Sequence, residues 1–420
     1  MKPQVATSPV ARPRPISTTL RWSIVVMLML GMIISYIDRS NLPVALSSPD
    51  FKALFNLSNS DRGNLNSAFF WSYAFLQIPA GFLVDRYGVK WTYSIGFIAW
   101  SLVSAATALA TNFSQLFGLR LLLGVGEAVV TPASLRWIRF NVDEKQRGLA
   151  TGMLFAGAKF GPAVGAPLAV WLMALYGWRG MFAVLGLGAL IWLIPWLLMV
   201  RDDDRQIEAT VIKESTTKAV PFADVFKTPI IWGVLIGTFC YNYFVYFCVT
   251  WLPAYFVEAR GITQQQMGVF VAFTFSGMAI TAMLAGALAD WMIRKGWDAV
   301  TVRKGFTIAG FLVASTEIIG ALSKSNDVAL FFAIVSLSGL GLATANYWAL
   351  TQTLMPGAAI GRIAGVQNFA SNLSGIVAPI VTGRLLDATG SYNAPMLFLL
   401  GVLITGVSSY IVLVRKKYAR

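Results

Sequence analysis

The 420-residue chain has no histidine and only two cysteines, Cys240 and Cys248. Without histidine it lacks the side chain that most readily changes charge near neutral pH, so any proton chemistry falls to carboxylates. Two cysteines eight residues apart in an apolar run make neither a disulfide framework nor a metal site, and they read as packing residues. Charge is also scarce. Charged residues make up 12% of the chain, and only 19 residues are acidic; a water-soluble domain carries about twice that share. With no histidine, no metal cluster and no nucleophile–base set, an enzyme is not expected.

Apolar residues fill the chain instead, 56% of it, and the mean hydropathy is +0.65. They fall in blocks long enough to cross a bilayer, for which a helix needs about 20 residues. Twelve blocks are expected, at about 22–46, 66–84, 91–110, 113–137, 148–173, 180–200, 229–254, 267–290, 305–322, 328–354, 361–383 and 394–414. They are continuous rather than alternating, which predicts helices and excludes barrel strands. The fold class is therefore an all-α membrane protein. The segment before the first block, with Pro3, Pro13, Pro15 and Ser17, reads as a disordered tail, and no cleavable signal is evident.

A net charge of +14 could suggest a nucleic-acid partner, but its distribution points to a lipid bilayer. With a cytoplasmic N-terminus, the predicted inner segments hold 24 of the 33 Lys and Arg residues and the outer segments hold six. This inside-positive bias places both termini in the cytoplasm of a multi-pass plasma-membrane protein.

The longest inner connection, about 201–228, is polar and divides the chain. The expected organisation is a tail (1–21), an N-terminal six-helix bundle (22–200), a cytoplasmic linker (201–228) and a C-terminal six-helix bundle (229–420). The halves repeat. Gly81-Phe-Leu-Val-Asp85-Arg86-Tyr-Gly88-Val-Lys90 follows the second block, and Gly286-Ala-Leu-Ala-Asp290 closes the eighth, 205 residues later. Two six-helix halves repeated in this way are the plan of the major facilitator fold.

The first of these strings resembles the superfamily signature G-x-L-x-D-R-x-G-x-[RK] at every specified position. Three more strings narrow the resemblance: Ser35-Tyr-Ile-Asp38-Arg39-Ser-Asn-Leu42, Phe69-Phe-Trp-Ser-Tyr73-Ala-Phe-Leu-Gln77-Ile-Pro-Ala-Gly81, and Gly118-Leu-Arg120-Leu-Leu-Leu-Gly-Val-Gly-Glu127-Ala128. Together they resemble the anion:cation symporter family, which includes bacterial sugar-acid/proton symporters. The resemblance implies that Asp85, Arg86, Gly88, Lys90 and Asp290 gate the cytoplasmic side. Asp85 and Asp290 would face helix N-termini of the opposite half, and Arg86 and Lys90 would meet inner-loop carboxylates.

Five charged residues lie in the first, fourth and fifth blocks: Asp38, Arg39, Arg120, Glu127 and Lys159. Each is costly in a membrane unless paired or facing water. Their depths allow all five to converge on one cavity. Arg offers a planar fork that matches a carboxylate, so Arg39 is the expected anchor for a substrate anion. Arg120 can bind substrate or hold Asp38 or Glu127 ionised, and the pairing role is favoured. An acid that loses and regains an Arg partner would alternate between holding and releasing a proton, which suits Asp38 and Glu127. Lys159 has two open readings: a pair with Glu127, or contact with a second anionic group on a dicarboxylate. Tyr36, Tyr73, Gln77 and Asn372 are expected to supply hydrogen bonds to substrate hydroxyls. Glu317, alone in the ninth block, reads as reaching the outer interface.

The expected function is proton-coupled uptake of a small organic anion, most simply a sugar acid (aldonate, hexuronate or aldarate), by a monomer with protons as the coupling ion and no cofactor. One feature favours proton-driven export instead. Gly148, Gly157, Gly161, Pro162, Gly165 and Ala166 nearly match a glycine pattern of antiporters. Its other reading is close helix packing.

Overall fold

A computed structural model describes residues 16–202, 226–354 and 360–415. Most of the expected tail and the 203–225 part of the linker lie outside the described residues. The first half runs through α1 (Thr18–Leu46), α2 (Pro49–Phe55), α3 (Asn59–Tyr87), α4 (Val89–Ala106), α5 (Phe113–Glu127), α6 (Val130–Asn141), α7 (Glu144–Ala189) and α8 (Leu193–Met199). The second runs through α9 (Pro229–Ala254), α10 (Gln264–Arg294), α11 (Ala299–Ala314), α12 (Glu317–Leu322), α13 (Asn326–Leu354), α14 (Ile360–Thr389) and α15 (Asn393–Val412). No strand occurs among the described residues.

Local sequence sets the helix starts. Ser17 accepts a hydrogen bond from the Leu20 N–H and caps α1, so this helix begins earlier than the apolar run alone suggests. Helix α3 opens with a reciprocal capping box between Ser58 and Asp61, and α10 with one between Thr263 and Gln266. These boxes are 205 residues apart, the spacing of Asp85 and Asp290, so the repeat covers helix starts as well as ends.

The helices turn apolar side chains outward. Ile78, Phe82, Leu109 and Leu198 are 69–81% exposed, an arrangement suited to lipid rather than water. The polar exceptions are enclosed. Asp38, Arg39, Arg120 and Glu127 are all buried.

Among the described residues, eleven helical stretches are long and apolar enough to cross a membrane, against the twelve blocks expected. The difference lies in Gln146–Met199, whose 54 residues form one stretch. A straight helix of that length would reach about 80 Å, well beyond a hydrocarbon core of about 30 Å. It is not straight. Gly177 turns the chain with φ 67° and ψ 177°, conformations open chiefly to glycine. Arg179 pins the corner by donating to the carbonyls of Ala108 and Ala110, beyond the end of α4. The chain then returns, and Trp196 donates to Ser94 Oγ near the start of α4. The fifth and sixth blocks merge because a glycine corner, not a polar loop, separates them.

Three glycines seat α7 on α1. A Cβ on Gly157 would lie 2.6 Å from the Met29 carbonyl oxygen, one on Gly161 2.3 Å from Tyr36 Cβ, and one on Gly165 2.7 Å from Ser40 Oγ. The antiporter-like glycine pattern therefore has a packing role here.

The halves meet closely at the end away from Asp85. A Cβ on Gly63 of α3 would lie 2.5 Å from the Pro379 carbonyl oxygen of α14. The N–H groups of Asn59 and Ser60 donate to Asp387 at 3.1 and 2.8 Å. Glu258, just past α9, pairs with Lys52 and Arg62 of the first half and accepts from Tyr392. Burial pushes the Tyr392 phenol up from its ordinary value, which keeps it a donor to this carboxylate. At the signature end, ion pairs between described residues stay within a half: Arg21 with Asp143, Asp85 with Arg136, and Asp290 with Arg303.

Candidate functional site

The site grows from one turn of α1. Arg39 Nε donates to Glu127 Oε2 at 2.9 Å, and Ser35 Oγ donates to the same oxygen at 2.7 Å. Ser35 and Arg39 are four residues apart and so share a helix face, which turns both toward the end of α5. Three rings confine the guanidinium: Tyr36 at 4.4 Å, Phe69 at 4.6 Å and Tyr73 at 4.4 Å. Stacked aromatic faces attract the cation and fix the plane of its fork.

A second chain of contacts runs beside the first. Ser104 Oγ donates to Asp38 Oδ1 at 2.6 Å, and Asn41 Nδ2 donates to the same atom at 3.3 Å. Arg120 donates from Nη2 to Asn41 Oδ1 at 2.8 Å and from Nη1 to the Asp38 carbonyl oxygen at 3.1 Å. Arg120 thus holds the backbone beside Asp38 and reaches its carboxyl only through Asn41.

Three buried polar atoms in this cluster have no partner: Asp38 Oδ2, Arg39 Nη2 and Glu127 Oε1. Buried polar groups are nearly always satisfied, and exceptions of this kind mark places where a ligand, proton or water belongs. A small, nearly closed pocket adjoins Arg39. It is lined by Tyr36, Arg39, Asn66, Phe69, Phe70 and Arg120 of the first half and by Tyr246, Val249 and Thr250 of the second. The pocket therefore lies between the halves.

Asp38, Arg39, Arg120 and Glu127 converge as expected, with Tyr36 and Tyr73 stacked on Arg39. Other placements differ from the sequence expectation. Arg120 forms no ion pair with either acid, because the Asp38 carbonyl and Asn41 take its donors. Lys159 does not pair with Glu127, which Arg39 holds. Its ammonium sits 5.6 Å from the centre of the Tyr241 ring. Gln77 accepts a hydrogen bond from Asn368 across the two halves. Asn372 donates to the Asn368 carbonyl of its own helix.

At the signature end, Asp85 pairs with Arg136 and Asp290 with Arg303, each inside its own half. Arg86 and Lys90 stack on the neighbouring Tyr87 and Trp91 rings, and Gly88 (φ 84°) makes the turn from α3 into α4. The first residues of α14, expected near Asp85, have no described side chains. Glu317 is buried and accepts from Ser336 Oγ at 2.6 Å, so it does not reach the outer interface.

Sequence reasoning missed Ser35, Asn41, Ser104 and Asn66. Asn41 carried a signal, since it lies three residues from Asp38 on the same helix. Ser104 carried none, because a serine in an apolar helix is ordinary.

A helical body with an apolar exterior, a buried ionic centre and a pocket shared by two halves defines a multi-pass membrane transporter rather than an enzyme. The model of the Major Facilitator Superfamily matches residues 28–379, and the chain belongs to that family. It is 31% identical to a D-galactonate transporter of Escherichia coli O6:H1 over 416 residues, covering 94% of this chain and 95% of the relative. It is 28% identical to a hexuronate transporter of Bacillus subtilis, covering 91% and 92%. It is 27% identical to a probable galactarate/D-glucarate transporter, GudP, also of Bacillus subtilis, covering 94% and 92%. These relatives bear out the resemblance to sugar-acid carriers of the anion:cation symporter family. The same fold occurs in a bacterial homolog to the human lysosomal transporter Spinster, with a TM-score of 0.79 at 17% identity, covering 95% of this chain and 98% of that one.

Proposed function

We propose that the protein takes up a sugar acid together with protons across the cytoplasmic membrane, as a monomer, by alternating access. The observation that carries this reading is the state of Arg39. Its Nε is held by Glu127, while its Nη2 is buried, unpaired and beside the pocket.

A carboxylate entering the pocket would take the free edge of this fork. It would thereby compete with Glu127 for the same cation. Glu127 is fully buried, and a buried carboxylate that loses its cation is strongly destabilised. Taking a proton removes the penalty. Binding of the anion and binding of a proton therefore favour each other, which is the requirement for symport. Asp38 stands ready as a second acceptor. Its Oδ2 has no partner, and no cation lies in its immediate shell, so a neutral carboxyl is the form its surroundings suit. Tyr36 and Tyr73 hold the Arg39 plane. Gln77 and Asn372 come within reach of substrate hydroxyls once the halves part and the Gln77–Asn368 bond opens.

In this reading Gln146–Met199 crosses twice around the Gly177 corner. The crossings then number twelve, and both termini are cytoplasmic. Glu258 and its partners close the outer end. During the cycle that contact parts, and Asp85, Arg86, Gly88, Lys90 and Asp290 form the inner closure.

The test is uptake of labelled aldonates, hexuronates and aldarates into proteoliposomes under an imposed inward proton gradient. Accumulation above the external concentration, abolished by a protonophore, is the expected result. Exclusion of substrate, or efflux driven by the same gradient, would overturn symport in favour of antiport.

A further inference from the structure

We infer that Lys159 forms a second anion subsite and that the preferred substrates carry two negative groups; this rests on the sugar-acid reading above. Cations inside the membrane are normally paired with protein acids. Arg39 has Glu127, and Arg120 has the Asp38 carbonyl and Asn41. Lys159 has no ion pair and no hydrogen bond among the described residues, and its one recorded contact is with the face of Tyr241 across the boundary between halves. A cation kept in a membrane helix without a protein counter-ion calls for an anion from elsewhere.

The placement suits a ligand that also engages Arg39. Gly157 and Gly161 abut Met29 to Tyr36 of α1, which puts the backbone of Lys159 level with about Ile33. From there Arg39 is six residues up the helix, roughly 9 Å along its axis. The reach of a lysine side chain shortens or extends that interval. Tyr36 stacks on Arg39, its phenol is close enough to that of Tyr241 to interact electrostatically, and Tyr241 carries Lys159. Tyr36 and Tyr241 thus link the surroundings of the two cations.

Charge balance points the same way. Three cations face two acids in this region: Arg39, Arg120 and Lys159 against Asp38 and Glu127. With Asp38 neutral and Glu127 protonated as the anion binds, three positive charges remain, of which a monoanion compensates one and a dianion two. A dianion therefore leaves less uncompensated charge in the cluster than a monoanion does.

The experiment is competition between glucarate, with two carboxylates, and gluconate, with one, for uptake by purified protein in proteoliposomes. The ratio of their half-inhibitory concentrations is read for wild type, Lys159→Gln and Lys159→Arg. Wild type is expected to favour glucarate at least tenfold. Lys159→Gln should lower that ratio at least tenfold, and Lys159→Arg should keep most of it. A wild type without preference for glucarate, or a ratio that Lys159→Gln leaves unchanged, overturns the second subsite while gluconate transport preserves the proposed function. Failure of both compounds to compete or move overturns both readings. Elution as a single peak in detergent establishes that each variant is folded.

Discussion

Replacing Glu127 with Gln separates binding from coupling, and its consequences follow from the contacts of this one side chain. Gln keeps the volume and one carbonyl oxygen but removes the negative charge. Arg39, whose side chain is 4% exposed, then loses its only ionic partner. Breaking a buried pair from one side costs about 3–5 kcal/mol. The remaining amide oxygen can still accept from Arg39 Nε or Ser35 Oγ, so the lower end, about 3 kcal/mol, is expected. The thermal midpoint in detergent should fall accordingly. An added sugar acid should restore it, because its carboxylate supplies the missing charge, and the ligand-induced shift should exceed that of wild type. Transport should divide as well. Exchange of internal for external substrate, which needs no net proton movement, should persist. Accumulation driven by a proton gradient should be lost. A variant that still accumulates substrate, or that gains no extra stabilisation from the anion, refutes the exchange of partners at Arg39.

Other expectations follow from the same geometry. Arg39→Lys replaces a stacked fork with a point charge, and uptake should fall by about 2–3 kcal/mol of lost recognition, roughly 30- to 150-fold, measured as initial rate at low substrate. Glu258→Gln weakens the outer closure to Lys52, Arg62 and Tyr392; a loss of about 1.4 kcal/mol shifts the outward-open population tenfold, read as faster labelling of a cysteine placed at Asn66 by an impermeant thiol reagent. Gly161→Ala presses a methyl group on Tyr36 Cβ and should lower stability by about 1–3 kcal/mol. Gly148→Ala, with open space around it, should be neutral or slightly stabilising by the same thermal assay.

The architecture was legible because membranes impose simple rules. Apolar blocks and a 205-residue repeat follow from the solvent and from duplication. The ionic cluster was legible for the same reason, since a charge in hydrocarbon is rare enough to stand out. Pairing was harder to read. Arg120 has two acids in its region, yet a carbonyl and an asparagine take its donors, and nothing in residue type distinguishes these outcomes. Ser35 and Ser104 were invisible because hydroxyls are common in membrane helices, where most bond their own backbone. The break between the fifth and sixth blocks falls at Gly177, between the expected bounds 173 and 180, where a glycine at φ 67° turns the chain. Asp85 and Asp290 were expected to reach the opposite half. Among the described residues they pair with Arg136 and Arg303 of their own halves.

Proton uptake on binding, measured with purified protein in weakly buffered detergent solution at neutral pH, addresses the exchange at Arg39 most directly. Addition of a transported sugar acid should draw about one proton per bound anion from solution in wild type and markedly less in Glu127→Gln. Saturable binding with no change in bulk proton concentration in wild type would contradict the account.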